Sequence, residues 1–288
     1  MRKSRQKILW PALLAALLVL TAITFAASSK YRHPMSTHMV TATSQNQPNP
    51  VRAKRRDYLQ RSLLSPRLVW NLKALGDRLE RPGKERLSVT GTLRRSEDSQ
   101  AEEVIAVFEF PDRFRLTIQR GHQTRVITFD GEQAKATGNP IDTGERDLLD
   151  TLLYGTAEHF FMTQTQGQAT RFLGARFRMD DGSSANYSGP YYDIYQVADQ
   201  IKTSASEREQ NKLYYFNSAT LLLERVAYEI TRDGSAVRVE ETTSNWGQEQ
   251  GQQVARRIER FENGVSVFVL TVRQAGFGPR FDDGIFAN

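Results

Sequence analysis

Hydrophobic side chains follow two periodicities along the chain. Between Asp57 and Glu80, Leu59, Leu63, Leu64, Leu68, Leu72, Leu75 and Leu79 recur at three- and four-residue steps, which predicts one apolar face of a helix. Val69 and Trp70 widen that face. Ser65-Pro66 reads as a cap followed by a first-turn proline, so the segment divides into two pieces, and Arg81-Pro82-Gly83 stops it. From Leu87 the period becomes two. Val104, Ala106, Phe108 and Phe110 share one face of a strand, and Pro111-Asp112 makes a turn. Phe114, Leu116 and Ile118 then alternate with Arg113, Arg115, Thr117 and Gln119. Arg125 to Phe129 forms a further short strand that ends at Asp130-Gly131, a strong hairpin signal.

A second helical stretch, Gly144 to Thr165, carries Leu148, Leu149, Leu152, Leu153, His159, Phe160, Phe161 and Met162. It must be buried or must cover something apolar. Strands resume at Arg171–Arg178, Tyr191–Gln200, Lys212–Asn217, Leu221–Thr231, Ala236–Thr243, Gln253–Glu262 and Val265–Arg273. Asp180-Asp181-Gly182, Asn217-Ser218, Asp233-Gly234 and Asn263-Gly264 separate most of them. The pattern predicts a mainly β (α+β) body of about ten strands in an antiparallel meander with two helical segments. A twisted sheet of that size curls, and the helices supply cover for its concave side.

Several strands are apolar on both faces. In Val265–Arg273, Val267 and Val269 lie on one side and Phe268, Leu270 and Val272 on the other. In Leu221–Ile230, Leu222, Val226, Tyr228 and Ile230 oppose Leu221, Leu223 and Ala227. A sheet apolar on both faces needs cover on both, and two helical segments are scant cover for ten strands. Either the sheet closes on a filled core or it curls round an apolar hollow. The pattern leaves both open.

Charge and composition alter the picture mainly at the N-terminus. Residues 1–56 hold ten basic residues and no acid, so the overall +6 falls to −4 in the remainder, and the folded body is no nucleic-acid binder. Met1 to Lys7 carries four positive charges ahead of an apolar run to Ala27, the pattern of an export signal. Residues 1–28 are thus a signal peptide, cleaved near Ala26, or a signal anchor in the inner membrane through residues 8–27. Ser28 to Arg56 is polar and nearly devoid of large apolar groups, which predicts a flexible tether over 29–56. Arg52, Lys54, Arg55 and Arg56 are placed to meet anionic lipid headgroups or to remain solvated. Residues 57–288 form one domain.

Catalytic chemistry is thin. The chain has no cysteine, hence no disulfide, thiolate metal site, cysteine nucleophile or lipidated cysteine. His33 and His38 lie in the tether, and His122 and His159 have no spaced partner that would make a metal site. No Gly-x-Ser-x-Gly elbow or glycine-rich phosphate loop occurs. Asp282-Asp283 precede Gly284 in a turn, and Glu240-Glu241 point to opposite faces of a strand. We expect no enzyme, no cofactor and no metal.

The order of short motifs carries a resemblance. An exported N-terminus and amphipathic helix precede Phe108-Glu109-Phe110-Pro111-Asp112-Arg113-Phe114-Arg115, then Thr128-Phe129-Asp130-Gly131. Leu213 to Arg225 (LYYFNSATLLLER), Asn245-Trp246, Gly251, Arg256-Arg257-Ile258 and Phe281-Asp282-Asp283-Gly284-Ile285-Phe286 follow. Over residues 65–288 this resembles the outer-membrane lipoprotein carrier and lipoprotein-sorting (LolA/LolB-like) superfamily of bacterial envelopes. The resemblance implies an unclosed β-barrel of about eleven antiparallel strands whose mouth is plugged by helices, with a hollow that takes lipid or lipoprotein acyl chains in the periplasm. Asn217 stands where the family's hairpin has Asp, and the long tether is unusual for a diffusing carrier.

On this reading an apolar cavity is lined by Phe108, Phe110, Phe114, Leu116, Phe129, Tyr215, Leu222, Val226, Tyr228, Val267 and Val269. Trp70 and Leu72, with Phe160 and Phe161, belong to the lid helices. The expected partners are lipid or lipoprotein acyl chains, the membrane surface and envelope proteins. A membrane-anchored sensor or scaffold that uses the same surface to bind a partner protein is the alternative.

Overall fold

Alternation of buried with half-buried residues from Arg86 to Leu93 marks the first strand of a large sheet. The computed structural model describes residues 59, 64–95, 99–110, 113–131, 133–165, 168–176, 189–203, 206–280 and 283–286. The export segment 1–28, the tether 29–56 and the Pro111-Asp112 turn lie outside the described residues.

The strands are β1 (Arg86–Arg94), β2 (Glu102–Glu109), β3 (Arg113–Arg120), β4 (Gln123–Phe129), β5 (Ala134–Ala136), β6 (Thr170–Arg176) and β7 (Tyr192–Thr203). They continue with β8 (Ser206–Asn217), β9 (Leu223–Arg232), β10 (Ser235–Ser244), β11 (Gly247–Glu249), β12 (Gln252–Val254), β13 (Arg257–Glu262) and β14 (Val265–Gly278). Twelve form one antiparallel sheet in the order β5-β4-β3-β2-β1-β14-β13-β10-β9-β8-β7-β6, and β11 pairs with β12 apart from it. With β5 and β6 as edges, the sheet is not closed into a barrel.

The expected ten to eleven strands are too few. Gln253–Glu262, read as one strand, breaks at Ala255-Arg256 into β12 and β13. The Gln250-Gly251 turn that joins β11 to β12 has φ of 50° and 79°. Three-residue strands such as β5 and β11 are too short to show alternation. Asp233-Gly234 (52° and 79°) and Asn263-Gly264 (48° and 82°) are hairpin turns as the sequence indicated, since a type I′ turn needs left-handed backbone at both central residues. The meander holds within β1–β5 and β6–β10. Between them β14 returns to pair with β1 along its full length, a contact that local alternation cannot reveal. Opposite the bulge at Thr90/Gly91, a side chain at Gly91 would strike the Thr271 carbonyl.

Among the described residues there are three α-helices. α1 (Pro66–Leu75) starts at Ser65, whose Oγ accepts the Leu68 N–H, with Pro66 in the first turn. It ends at Gly76 (φ 116°), so the leucine ladder runs on outside the helix to a buried Leu79. The second helical stretch splits into α2 (Thr143–Tyr154) and α3 (Ala157–Thr165). Asp142 and Glu145 form a capping box at the start of α2. At Gly155 any side chain would run into the Glu241 carboxylate and the Thr151 carbonyl, and there the helix breaks.

All three helices pack on one face of the sheet, the inner face. Leu148, Leu149 and Leu152 of α2 close over Leu87, Val89, Phe114, Leu116, Phe268 and Leu270. Leu68, Leu72 and Leu75 of α1, with Phe160 and Phe161 of α3, close over Tyr214, Phe216, Val226 and Tyr228. Each large apolar side chain buried this way stabilises the fold by about 1.5–3 kcal/mol. The outer face keeps a small cluster, Ile194, Tyr215 and Ala227, and Arg225 lies 4.6 Å over the Tyr215 ring.

Candidate functional site

Beneath the corner between α2 and α3 lies a cavity of about 80 Å³. Phe108 of β2 and Phe110 just beyond it, Leu152 and Leu153 of α2, and Leu270 and Val272 of β14 supply its apolar wall, and Trp246 also borders it. The charges on its rim are paired. Arg78 donates from Nε (2.9 Å) and Nη2 (2.5 Å) to Glu158 Oε1 and from Nη1 to the carbonyls of Leu75 and Gln253. Arg113 donates to Glu109 at 2.9 Å, its guanidinium 4.5 Å from the Phe286 ring. Paired charges leave the wall electrically neutral, which suits an uncharged occupant.

A second space of about 300 Å³ opens between α2 and the β4–β5 edge. Phe129, Ala134, Ala136, Ile141 and Leu149 line its floor and flanks, and Arg146 and Asp150 also border it. Leu153 borders both spaces.

Between these spaces and the second apolar cluster, a polar clasp ties α2 to the sheet. Arg260 of β13, 1% exposed, donates to Asp147 (3.2 Å) and Thr151 (3.3 Å) of α2, to Tyr228 (2.9 Å) of β9, to Glu241 (3.3 Å) of β10 and to Glu262 (3.0 Å). Arg232 spans Asp147 and Glu262 from its own strand, β9. Burial alone would lower the Arg260 pKa, but the Tyr228 oxygen and the Glu241 and Asp147 carboxylates outweigh it and hold the guanidinium above its ordinary value. Burial pushes the Asp147 carboxyl up, against the pull of Arg260 and Arg232. The last carbonyl of α2, on Tyr154, accepts from the buried Lys212 ammonium (3.2 Å) and the Tyr214 hydroxyl (3.0 Å). A cation there also complements the helix dipole.

The predicted cavity residues separate into several environments. Phe108 and Phe110 line the cavity at the α2–α3 corner, and Phe129 lines the groove beside β5. Phe114 and Leu116 are packed solid within the first cluster, while Val226 and Tyr228 lie in the second, under α1 and α3. Tyr215 is on the outer face. Leu222 sits in the turn before β9 and borders neither space. Val267 is half-buried at the bulge opposite Arg260/Phe261. Val269 belongs to the outer face, in a polar groove with Arg94, Arg257 and Thr271. The phase of β14 is therefore the reverse of that expected, and Phe268, Leu270 and Val272 face inward. Alternation fixes a period but not its phase where both faces are apolar.

Among the lid residues, Leu72, Phe160 and Phe161 are fully buried in the second cluster. Trp70 points away from it, 61% exposed, with Lys73 over its ring at 5.3 Å. The α1 stripe of Leu68, Leu72 and Leu75 leaves Trp70 on the opposite side. Leu152, Leu153 and the Arg260 clasp were not anticipated. Leu152 and Leu153 stood out only as part of a dense apolar run, and the clasp draws on residues far apart in sequence.

Among the described residues no helix is long and apolar enough to cross a membrane, and the apolar run 8–27 lies outside them. No family model and no curated protein matches the chain. Solved structures do. A LolA superfamily protein from Nitrosomonas europaea superposes with a TM-score of 0.50 at 10% identity, covering 76% of this chain and 97% of that one. A DUF1329 family protein from Desulfovibrio piger gives 0.50 at 9% identity, covering 77% and 96%. At such identities the likeness is one of architecture, and it agrees with the open antiparallel sheet covered by helices on one face. The chain has a LolA-like fold.

Proposed function

We propose that this protein is a non-enzymatic binder of lipid or lipoprotein acyl chains in the bacterial envelope, and that it holds an apolar tail between the inner face of the sheet and helices α2 and α3. The observation that carries the reading is the neutral, apolar space at the α2–α3 corner, set beside a larger groove that Arg146 and Asp150 also border. The fold shared with a LolA superfamily protein supports it. Side chains fill most of the interior, so the corner cavity of about 80 Å³ takes only about three methylene-sized groups, each near the ~30 Å³ of a water molecule. A longer chain uses the groove as well, or displaces α2. Each buried methylene contributes about 0.8 kcal/mol, so burying a handful offsets the cost of disturbing the clasp. Titration with the fluorescent fatty acid cis-parinarate tests the reading. Saturable fluorescence displaced by palmitate supports it, and no response from the folded protein refutes it.

A second reading, a membrane-anchored scaffold for a partner protein, draws on Trp70 and Phe172. These two exposed aromatic residues lie on α1 and on the edge strand β6, and Arg67 of α1 lies 5.3 Å over the Phe172 ring. A photocrosslinker at position 70 in living cells gives a discrete protein adduct if this reading holds. Parinarate binding without an adduct favours the acyl-chain reading.

A further inference from the structure

Leu153 is the one α2 leucine that borders both the larger groove and the smaller cavity. Every element that forms the groove supplies apolar side chains to it: Phe129 on β4, Ala134 and Ala136 on β5, Ile141 before α2 and Leu149 on α2. Alanines at the edge leave room that larger side chains would fill, and β5 ends after three residues. At ~30 Å³ for each methylene-sized group, the groove of about 300 Å³ takes about ten and the cavity about three. Neither alone holds a long unbranched chain, whereas the two in series come close.

The clasp does not stand in the way of joining them. Arg260 holds α2 through Asp147 and Thr151, and Lys212 and Tyr214 hold it through the Tyr154 carbonyl. The Leu153 side chain takes part in none of these bonds. A leucine that is not fully buried changes rotamer without breaking a hydrogen bond. The charged side chains of the groove are Arg146, which is exposed, and Asp150, one turn on.

We propose that Leu153 is the gate of a single apolar passage, which admits an unbranched acyl chain tail-first past the β5 edge and brings its terminal methyl end beside Trp246, while α2 stays clasped. The inference rests on the acyl-chain reading and adds the route, the direction and the gating residue. The tail is an uncharged hydrocarbon that the inner wall can desolvate, and the polar head stays in water beside Arg146.

Trp246 is the built-in reporter, since it lines the inner cavity. The full-length protein is titrated with palmitate brominated near the terminal methyl and, separately, with 2-bromopalmitate. The distally brominated chain quenches the part of the emission that Trp246→Phe removes, and 2-bromopalmitate does not. Leu153→Phe, with unchanged circular dichroism, weakens that quenching about tenfold, while Leu153→Met, which keeps the volume, retains it. Equal quenching by both bromopalmitates overturns the passage, as does undiminished quenching in Leu153→Phe. In either case parinarate binding by the wild-type protein leaves the acyl-chain reading intact. If the folded wild-type protein binds neither parinarate nor palmitate, the underlying reading falls instead.

Discussion

The hydroxyl of Thr151 on α2 donates to Oε1 of Glu241 on β10 at 2.7 Å, across ninety residues of sequence. The same Oε1 accepts the Tyr228 hydroxyl at 2.6 Å and faces Arg260 at 3.3 Å. Charge and hydroxyl groups thus sit in the middle of an otherwise apolar inner face, where each depends on the others for solvation. Arg260→Met leaves Glu241 buried without its cation and Asp147 with Arg232 alone. We expect a loss of about 3–5 kcal/mol in urea unfolding and faster amide exchange in α2 than in β1–β3. A change within about 0.5 kcal/mol would show that the clasp contributes little.

Gly155 separates α2 from α3 because the Glu241 carboxylate occupies the place of a side chain. Its φ is −93°, so alanine is no strain on the backbone and any effect reports the contact. Gly155→Ala lowers stability by about 1–3 kcal/mol, read from the urea midpoint. Glu241→Ala in the same background recovers part of the loss due to Gly155→Ala, as residues in contact couple.

Tyr195 on β7 packs against Phe160 and Phe216, and burial, helped by the nearby Asp193 charge, pushes its phenol up to about 12. The folded state therefore keeps the proton more tightly than the unfolded chain, whose tyrosine titrates near ~10. Its contribution to stability is complete below pH ~10 and is lost as the pH rises through about 12. Two units correspond to about 2–3 kcal/mol. Tyr195→Phe should flatten the fall in urea stability between pH ~10 and ~12; a slope equal to wild type would exclude this residue as its source.

A charge in the cavity wall separates lining from core. Phe108→Asp leaves a carboxylate facing the corner cavity and should abolish parinarate binding in a protein that still folds. Phe114→Asp should unfold the domain, because Phe114 is wholly buried in the first cluster. Gln119→Asp, at the exposed end of β3, should leave both properties unchanged. Unimpaired binding by folded Phe108→Asp would move the ligand away from the α2–α3 corner.

The fold was legible where local chemistry determines it. Asp233-Gly234 and Asn263-Gly264 form the turns their residue types favour, and Glu240 and Glu241 do fall on opposite faces, one paired with Arg225 and the other in the clasp. Legibility failed where tertiary contact decides. β14 is apolar on both faces, and its phase follows from pairing with β1 and from a bulge against β13, so Val269 went to the wrong side. Trp70 joined the lid by hydropathy alone, whereas the α1 stripe leaves it in solvent. The helix break at Gly155 needs Glu241, and Arg260 finds Asp147 from 113 residues away. No window of sequence contains either pair. Of the residues around the corner cavity, period-two alternation singled out Phe108 and Phe110, whereas Leu152 and Leu153 were lost in a dense apolar run.

Native mass spectrometry of the protein released gently from its own cells tests the central claim most directly. We predict a bound species, one per chain, whose mass and fragments identify an acyl lipid or lipoprotein tail and which is missing from Phe108→Asp purified in parallel. A folded protein that emerges without lipid and takes up none when incubated with envelope phospholipids would contradict the account.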